Sequence, residues 1–170
     1  LAAFGIEIKS HVVKLGSHPE QLLEKSWEEI AAIPNDSPLN CADADAEKEM
    51  IALIDQAKTD GDTLGGAFEI VAKGLPVGLG SHTSWEDKLD GRIARAIMSI
   101  HAIKAVEIGE GVTNAGRRGS EVHDEIFHDG RAFNRSTNRA GGLEGGITNG
   151  EALRVRGYMK PISTLRKPLH

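Results

Sequence analysis

RSTNRAGGLEGGITNGEALRVRGYMKPIST, residues 135–164, is the stretch on which the rest of the chain is read. It holds two glycine pairs, Gly141-Gly142 and Gly145-Gly146, then an alternating segment, then Lys160-Pro161 with hydroxyls close behind. Glycine lets backbone N–H groups approach a ligand, because no Cβ intervenes, and it reaches positive φ cheaply. Successive amides in such turns form an anion-accepting concavity. From Ala152 to Met159 the alternation sets Leu153, Val155, Gly157 and Met159 on one face. Arg154, Arg156 and Tyr158 take the other, which is the period of a half-buried strand. Lys160, Ser163 and Thr164 then close the strand's end. The expectation is a glycine-lined pocket with one cation and two hydroxyls, suited to a phosphorylated ligand. No G-x-G-x-x-G occurs and no P-loop spacing precedes Lys160, so tight turns between strands are an equal reading of the glycines.

Working outward, the segment Trp85–Ile103 predicts the central helix. Ser84 and Asp87 resemble a capping box, and Leu89, Ile93, Ala96, Ile97, Ile100 and Ile103 fall at helical spacing. Burying each Ile or Leu contributes about 1.5–3 kcal/mol, so such a helix can anchor a fold. His101 near its end reads either as a complement to the helix dipole or as a polar group presented to a pocket. Ala105–Ile108 predicts a short strand, and Gly109–Ser120 a glycine-rich loop. Towards the amino terminus, Leu1–Phe4 reads as a helical tail closed by Gly5, followed by strand Ile6–Leu15 and a short helix over Glu20–Ala32. A second helix is expected from Asp45 to Lys58, with Met50, Ile51, Leu53, Ile54 and Ala57 as its apolar stripe. Ala67–Ala72 predicts another strand. The apolar loop Gly74–Gly80 is expected to pack against a neighbour.

Composition bounds the function. The 170 residues carry a net charge of -5, with 39% hydrophobic, 26% charged and 4% aromatic residues. That acidity argues against general nucleic-acid binding, which needs a basic face. No run approaches a membrane span. Cys41, the sole cysteine, has no internal disulfide partner and reads as a small buried or loop residue in a reducing cytosol. Asp43, Asp45, Glu47 and Glu49 lack the glycine and terminal glutamate of a calcium loop. They read as a solvated helix start. His11 reads as an exposed or cross-strand residue. His123, His128 and the carboxylates around them lack paired metal-ligand spacing and read as a polar loop. The chain opens without methionine, on a pattern that looks like a piece of a longer polypeptide.

Several segments together resemble one family. Gly74-Leu75-Pro76-Val77-Gly78-Leu79-Gly80-Ser81-His82, Ala96–Ala102, Val106–Gly109, Ala140–Ile147 and Lys160–Thr164 are similar, in wording, order and spacing, to chorismate synthase. The likeness runs over essentially the whole chain and matches the middle portion of that longer family. The resemblance implies an α+β fold, a β-α-β sandwich core with helices packed between antiparallel sheets, and residues 1–170 as a single domain within it. It implies a cytoplasmic homotetrameric lyase that eliminates phosphate from 5-enolpyruvylshikimate-3-phosphate to give chorismate. The cofactor would be reduced FMN, and the family is also associated with NADP. Carried over residue by residue, the flavin contacts are His101, Ala102, Gly145, Lys160, Pro161, Ile162, Ser163 and Thr164. Position 101 is often an amide in the family, so a backbone contact is expected there. No catalytic residue and no metal site is expected here, because the family's histidine motifs lie outside these residues. The isolated piece is expected to be inactive. A non-catalytic folding or oligomerisation core and an unrelated phosphate-binding domain are the competing readings.

Overall fold

A computed structural model describes residues 1–19 and 25–166. After a 3-10 turn at Ala2–Phe4 come strand β1 (Glu7–Leu15) and helices α1 (Trp27–Ala31) and α2 (Ala44–Asp60). Strand β2 (Gly66–Lys73), helix α3 (Leu89–Met98) and strand β3 (Ile103–Ile108) follow. Two short helices, α4 (Gly111–Asn114) and α5 (Gly119–Val122), lead to the hairpin β4 (Ile126–His128)–β5 (Phe133–Arg135). A second small hairpin, β6 (Leu143–Glu144)–β7 (Ile147–Thr148), precedes the last strand, β8 (Leu153–Met159). The expected helices and antiparallel strands are thus present, an α+β arrangement.

The main sheet has the order β1-β2-β8-β3 and is antiparallel throughout. Strand β8 is therefore inserted between strands that precede it by many residues, and it is paired on both sides. This overturns the half-buried reading of its polar face: Arg154 and Arg156 are both buried. The opposite face is apolar. Ile97 of α3 packs there on Ile103 and Val155, with Phe68, Ile70, Ile93, Val106 and Leu153 around them.

On the polar face, one cross-strand row runs through all four strands: His11, Glu69, Arg156 and Glu107 stand directly opposite one another in turn. Glu69 accepts from Arg154 Nη1 at 2.8 Å, Arg156 Nε at 3.1 Å and His11 Nε2 at 3.1 Å. Tyr158 donates to Glu107 at 2.5 Å, and Arg156 lies 3.9 Å from the same carboxylate. The Lys25 carbonyl accepts from Arg154 at 2.5 Å, which ties the segment before α1 onto this face. Lys73 rests 4.6 Å over the Trp27 ring, a cation–π contact between β2 and α1. Burial alone would raise the Glu69 pKa. The hydrogen bond from His11 and the fields of Arg154 and Arg156 outweigh it and hold the carboxyl below its usual range.

Helix ends explain where the elements stop. Ser26 and Glu29 form a reciprocal capping box at α1, and this helix is shorter than the expected Glu20–Ala32, of which Glu20–Glu24 lie outside the described residues. Asp43 caps α2 by accepting from Asp45 and Ala46 N–H groups, so the acidic cluster is a helix start, as read. Met50 is fully buried against Cys41, Val12, Leu15 and Leu39. Helix α3 is much shorter than Trp85–Ile103. Its first amide, Leu89 N–H, donates to the Gly146 carbonyl of the β6–β7 hairpin. At its far end Ala102 turns left-handed at φ 68°, and Ile103, counted in the helical stripe, belongs to β3. The Gly109–Ser120 loop contains α4 and starts α5.

The β3 exit and the glycine stretch interlock. A Cβ on Gly141, at φ 65°, would lie 2.3 Å from Gly109 N, and one on Gly109 would lie 2.3 Å from the Arg139 carbonyl. Gly109 N–H donates to Arg154 O at 3.0 Å, and Arg154 N–H to Gly141 O at 3.1 Å. Asp124, read as part of a polar loop, is a buried cap. It accepts from the Thr137 hydroxyl at 2.5 Å and from the Arg139 and Ala140 amides at 2.8 and 2.9 Å. Among the described residues no cluster of His, Cys, Asp and Glu could hold a metal.

Glu69→Ala removes the carboxylate that the buried Arg154 and Arg156 share and should cost about 3–5 kcal/mol, read as a lower urea midpoint. The Glu69 pKa lies below the usual 4.5, so its contribution is fully present above that value. It is lost as pH falls through the folded pKa. Acid titration of stability should therefore show a decline below about pH 4.5, and Glu69→Gln should flatten it. Gly141→Ala meets backbone, not a movable side chain, and should destabilise by at least about 1–3 kcal/mol in thermal unfolding.

Candidate functional site

The β3–β8 ladder decides which of the expected contact residues meet. Ile103 pairs with Met159, and one step further Lys160 N–H donates to the Ala102 carbonyl at 2.9 Å. His101 and Ala102 therefore lie beside the start of the Lys160–Thr164 loop. His101 and Ala102 occupy the middle of a tight turn closed by Ile103 N–H to Ile100 O at 3.2 Å. A positive φ at an alanine costs on the order of 1 kcal/mol, and such strained positions concentrate at functional sites.

Lys160, Pro161, Ile162, Ser163 and Thr164 are all exposed. Lys160 makes no ion pair among the described residues; its ammonium lies 3.5 Å from the Pro161 carbonyl, at the limit of a hydrogen bond. A cation without a carboxylate partner, with two free-standing hydroxyls three and four residues on, suits an anionic or acceptor-rich ligand. At the base of this loop a cavity of about 430 Å³ is lined by Lys14, Thr63, Gly65, Tyr158, Met159 and Pro161. Sequence reading did not find Lys14, Thr63 or Gly65 as neighbours of the loop, since they come from β1 and the turn after α2.

Gly145 lies elsewhere. It and Gly146 form the β6–β7 turn at φ 64° and 92°, the two positive values that a type I′ hairpin turn demands. The hairpin is anchored at the first turn of α3 through Gly146 O, and Ile147 bridges to Gly80. Helix α3, with 10 residues, is about 15 Å long. Gly145 stands at its start and Ala102 just past its end. Among the described residues, the cavity at the base of the Lys160 loop is not lined by Gly145 or Gly146. The space around Gly145 is open, since a Cβ there would meet nothing within 4 Å. The Gly74–Gly80 loop is held by Thr148, which accepts from Leu79 N–H and donates to Pro76 O, but Val77 remains 73% exposed. No helix among the described residues is long and apolar enough to cross a membrane.

Known proteins agree on what this arrangement belongs to. The family profile described as chorismate synthase matches residues 1–170. Chorismate synthase of Corynebacterium glutamicum (strain R) is 57% identical over 166 residues, covering 97% of this chain and 40% of that protein. That of Brevibacillus brevis (strain 47 / JCM 6285 / NBRC 100599) is 53% identical over 170 residues, covering 99% and 44%. A crystal structure of chorismate synthase is similar with a TM-score of 0.87 at 46% identity, over 96% of this chain and 51% of that one. The chain thus spans about two-fifths of the length of the curated relatives it matches. A profile match from first residue to last, joined to the same fold in a solved relative, makes this chain a member of the chorismate synthase family.

Proposed function

We propose that the protein to which these residues belong is a cytoplasmic homotetrameric chorismate synthase. It would convert 5-enolpyruvylshikimate-3-phosphate to chorismate by loss of phosphate and a proton, without net redox change. Reduced FMN is the proposed cofactor, lending electron density to the substrate while the C–O bond breaks. The observation that carries this reading is the hydrogen bond between Lys160 N–H and Ala102 O. It joins two segments, distant in sequence, that the family resemblance independently marks as flavin contacts.

The residues suit the cofactor. The unpaired Lys160 ammonium would take a negative or acceptor-rich part of the flavin, and Ser163 and Thr164 would donate to its polar groups. Pro161 and Ile162 would shield one side from water. The strained Ala102 and neighbouring His101 would present backbone groups from a rigid turn. Gly145 would reach a flavin from another direction, the open side of its hairpin. What these residues do in the reaction is to bind, orient and exclude water; proton transfer falls to parts of the protein beyond them.

A second reading, a non-catalytic folding and assembly core, draws on the exposed Val77, Trp85, Phe127 and Phe133. Light scattering separates the two: this chain alone as a strictly monomeric, well-folded species would count against the assembly reading. For the first reading, Lys160→Ala in the full-length enzyme should weaken FMN binding by roughly 1.5–3 kcal/mol, the worth of a hydrogen bond to a charged group. Flavin fluorescence titration measures it, and an unchanged affinity would remove Lys160 from the site. The 170 residues alone should show no turnover of 5-enolpyruvylshikimate-3-phosphate, and measurable chorismate formation would contradict that.

A further inference from the structure

We infer that Thr63, at the turn following α2, is a positioning residue that presets the Lys160–Thr164 loop for its ligand, an inference that rests on the reading of that loop as a flavin contact. Thr63 Oγ1 donates to the Ile162 carbonyl at 2.7 Å across 99 residues of sequence. Ile162 is the middle residue of the loop.

Beyond Met159 the loop has left the sheet, and its remaining ties are few. Among the described residues they are Lys160 N–H to Ala102 O on one side, and Thr63 and Gly61 on the other, the last accepting from Arg166 N–H at 3.3 Å. The turn that provides Thr63 is itself well defined. Gly61 caps α2 in the left-handed region at φ 72°, and Asp62 N–H returns to Ala57 O at 2.9 Å. Two residues after Thr63, Gly65 is in direct contact with the loop. A Cβ there would stand 2.4 Å from the Met159 carbonyl and 2.9 Å from Pro161 Cδ. The turn and the loop are therefore fitted to each other by backbone contact, with the Thr63 hydroxyl as the directional bond between them.

That bond fixes more than one atom. A trans peptide is planar, with its C=O and N–H pointing in opposite directions. Holding the Ile162 carbonyl on Thr63 consequently turns the Ser163 N–H away from Thr63, and this N–H has no partner among the described residues. The same peptide plane sets where the Ser163 and Thr164 hydroxyls begin. Without the Thr63 hydroxyl the plane can rotate, and the ligand would have to order it on binding, which lowers affinity without altering the contacts made.

The test is made on the full-length enzyme, with Thr63→Val, which keeps the shape and removes the hydroxyl, Thr63→Ser, which restores it, and Lys160→Ala. The loss of one neutral hydrogen bond corresponds to about fivefold weaker FMN binding in Thr63→Val. Thr63→Ser should bind close to the unaltered protein. Saturating FMN should return kcat in Thr63→Val, and hydrogen exchange should quicken at the Leu165 and Arg166 amides, which donate to Ser163 O and Gly61 O, while β8 stays protected. FMN affinity in Thr63→Val equal to the unaltered protein would overturn the inference. So would a loss that Thr63→Ser fails to restore. If Lys160→Ala weakens FMN binding while Thr63→Val does not, only the Thr63 inference falls. Undiminished affinity in Lys160→Ala instead removes the flavin reading of the loop, and this inference with it.

Discussion

A carboxylate clasped by two guanidiniums and an imidazole inside a four-stranded sheet is the constraint on which the rest of this structure depends. Glu69 reaches His11 on one neighbouring strand and Arg154 and Arg156 on the other, and the row continues to Glu107 on β3. Taking these groups out of water is expensive, and their mutual attraction roughly offsets that cost without adding much stability. What the arrangement does contribute is uniqueness. A one-residue slip of β8 would turn Arg154 and Arg156 onto the face where Ile97, Ile103 and Val155 pack, and would leave Glu69 with His11 alone. Register is thereby specified from both faces at once.

That register is what delivers the candidate site. With Arg156 opposite Glu69, Met159 falls opposite Gly66, and on the other side a one-residue register shift between Ile103 and Ala105 brings Met159 opposite Ile103. The residues immediately beyond, Lys160 on one strand and Ala102 before the other, then meet at the sheet's end. The turn after α2 meets them from the remaining side through Gly65 and Thr63. An exposed loop of Pro, Ile, Ser and Thr has little packing of its own. Its shape is borrowed from the rigid elements that border it, which is how binding residues are generally held to useful precision.

Much of this was legible in residue patterns. The four strands of the main sheet appear close to their expected limits because period-2 alternation and turn residues bound them, whereas the short hairpins β4–β5 and β6–β7 were not expected; α2 is well marked by Asp43 and its acidic first turn. The resemblance to chorismate synthase also rests on motifs alone. Helix α3 misled because Ile100 and Ile103 continue a helical spacing past the residue where Ala102 turns left-handed. Periodicity does not register a single backbone reversal. The polar face of β8 misled for a related reason. Alternating Arg, Arg and Tyr look like a solvent face until strands from residues 7–15, 66–73 and 103–108 supply Glu69, Glu107 and His11 to cover them. Mid-strand charges at Glu69 and Glu107, set in otherwise apolar runs, were the signal that a buried network was present.

The amino-acid sequence by itself determined the local elements, the mixed α+β class, the family and the set of residues to consider for a ligand. These follow from short-range spacing, turn chemistry and motif wording, each contained within a few tens of residues. Only the tertiary structure decided that β8 is central, that its arginines are interior, and that Gly145 and Lys160 stand near opposite ends of α3. It alone joined Thr63 to Ile162. The physical reason is that strand order and cross-strand register are set by contacts between residues far apart in the chain, where the desolvation of a buried charge is resolved by a partner that no local pattern can name.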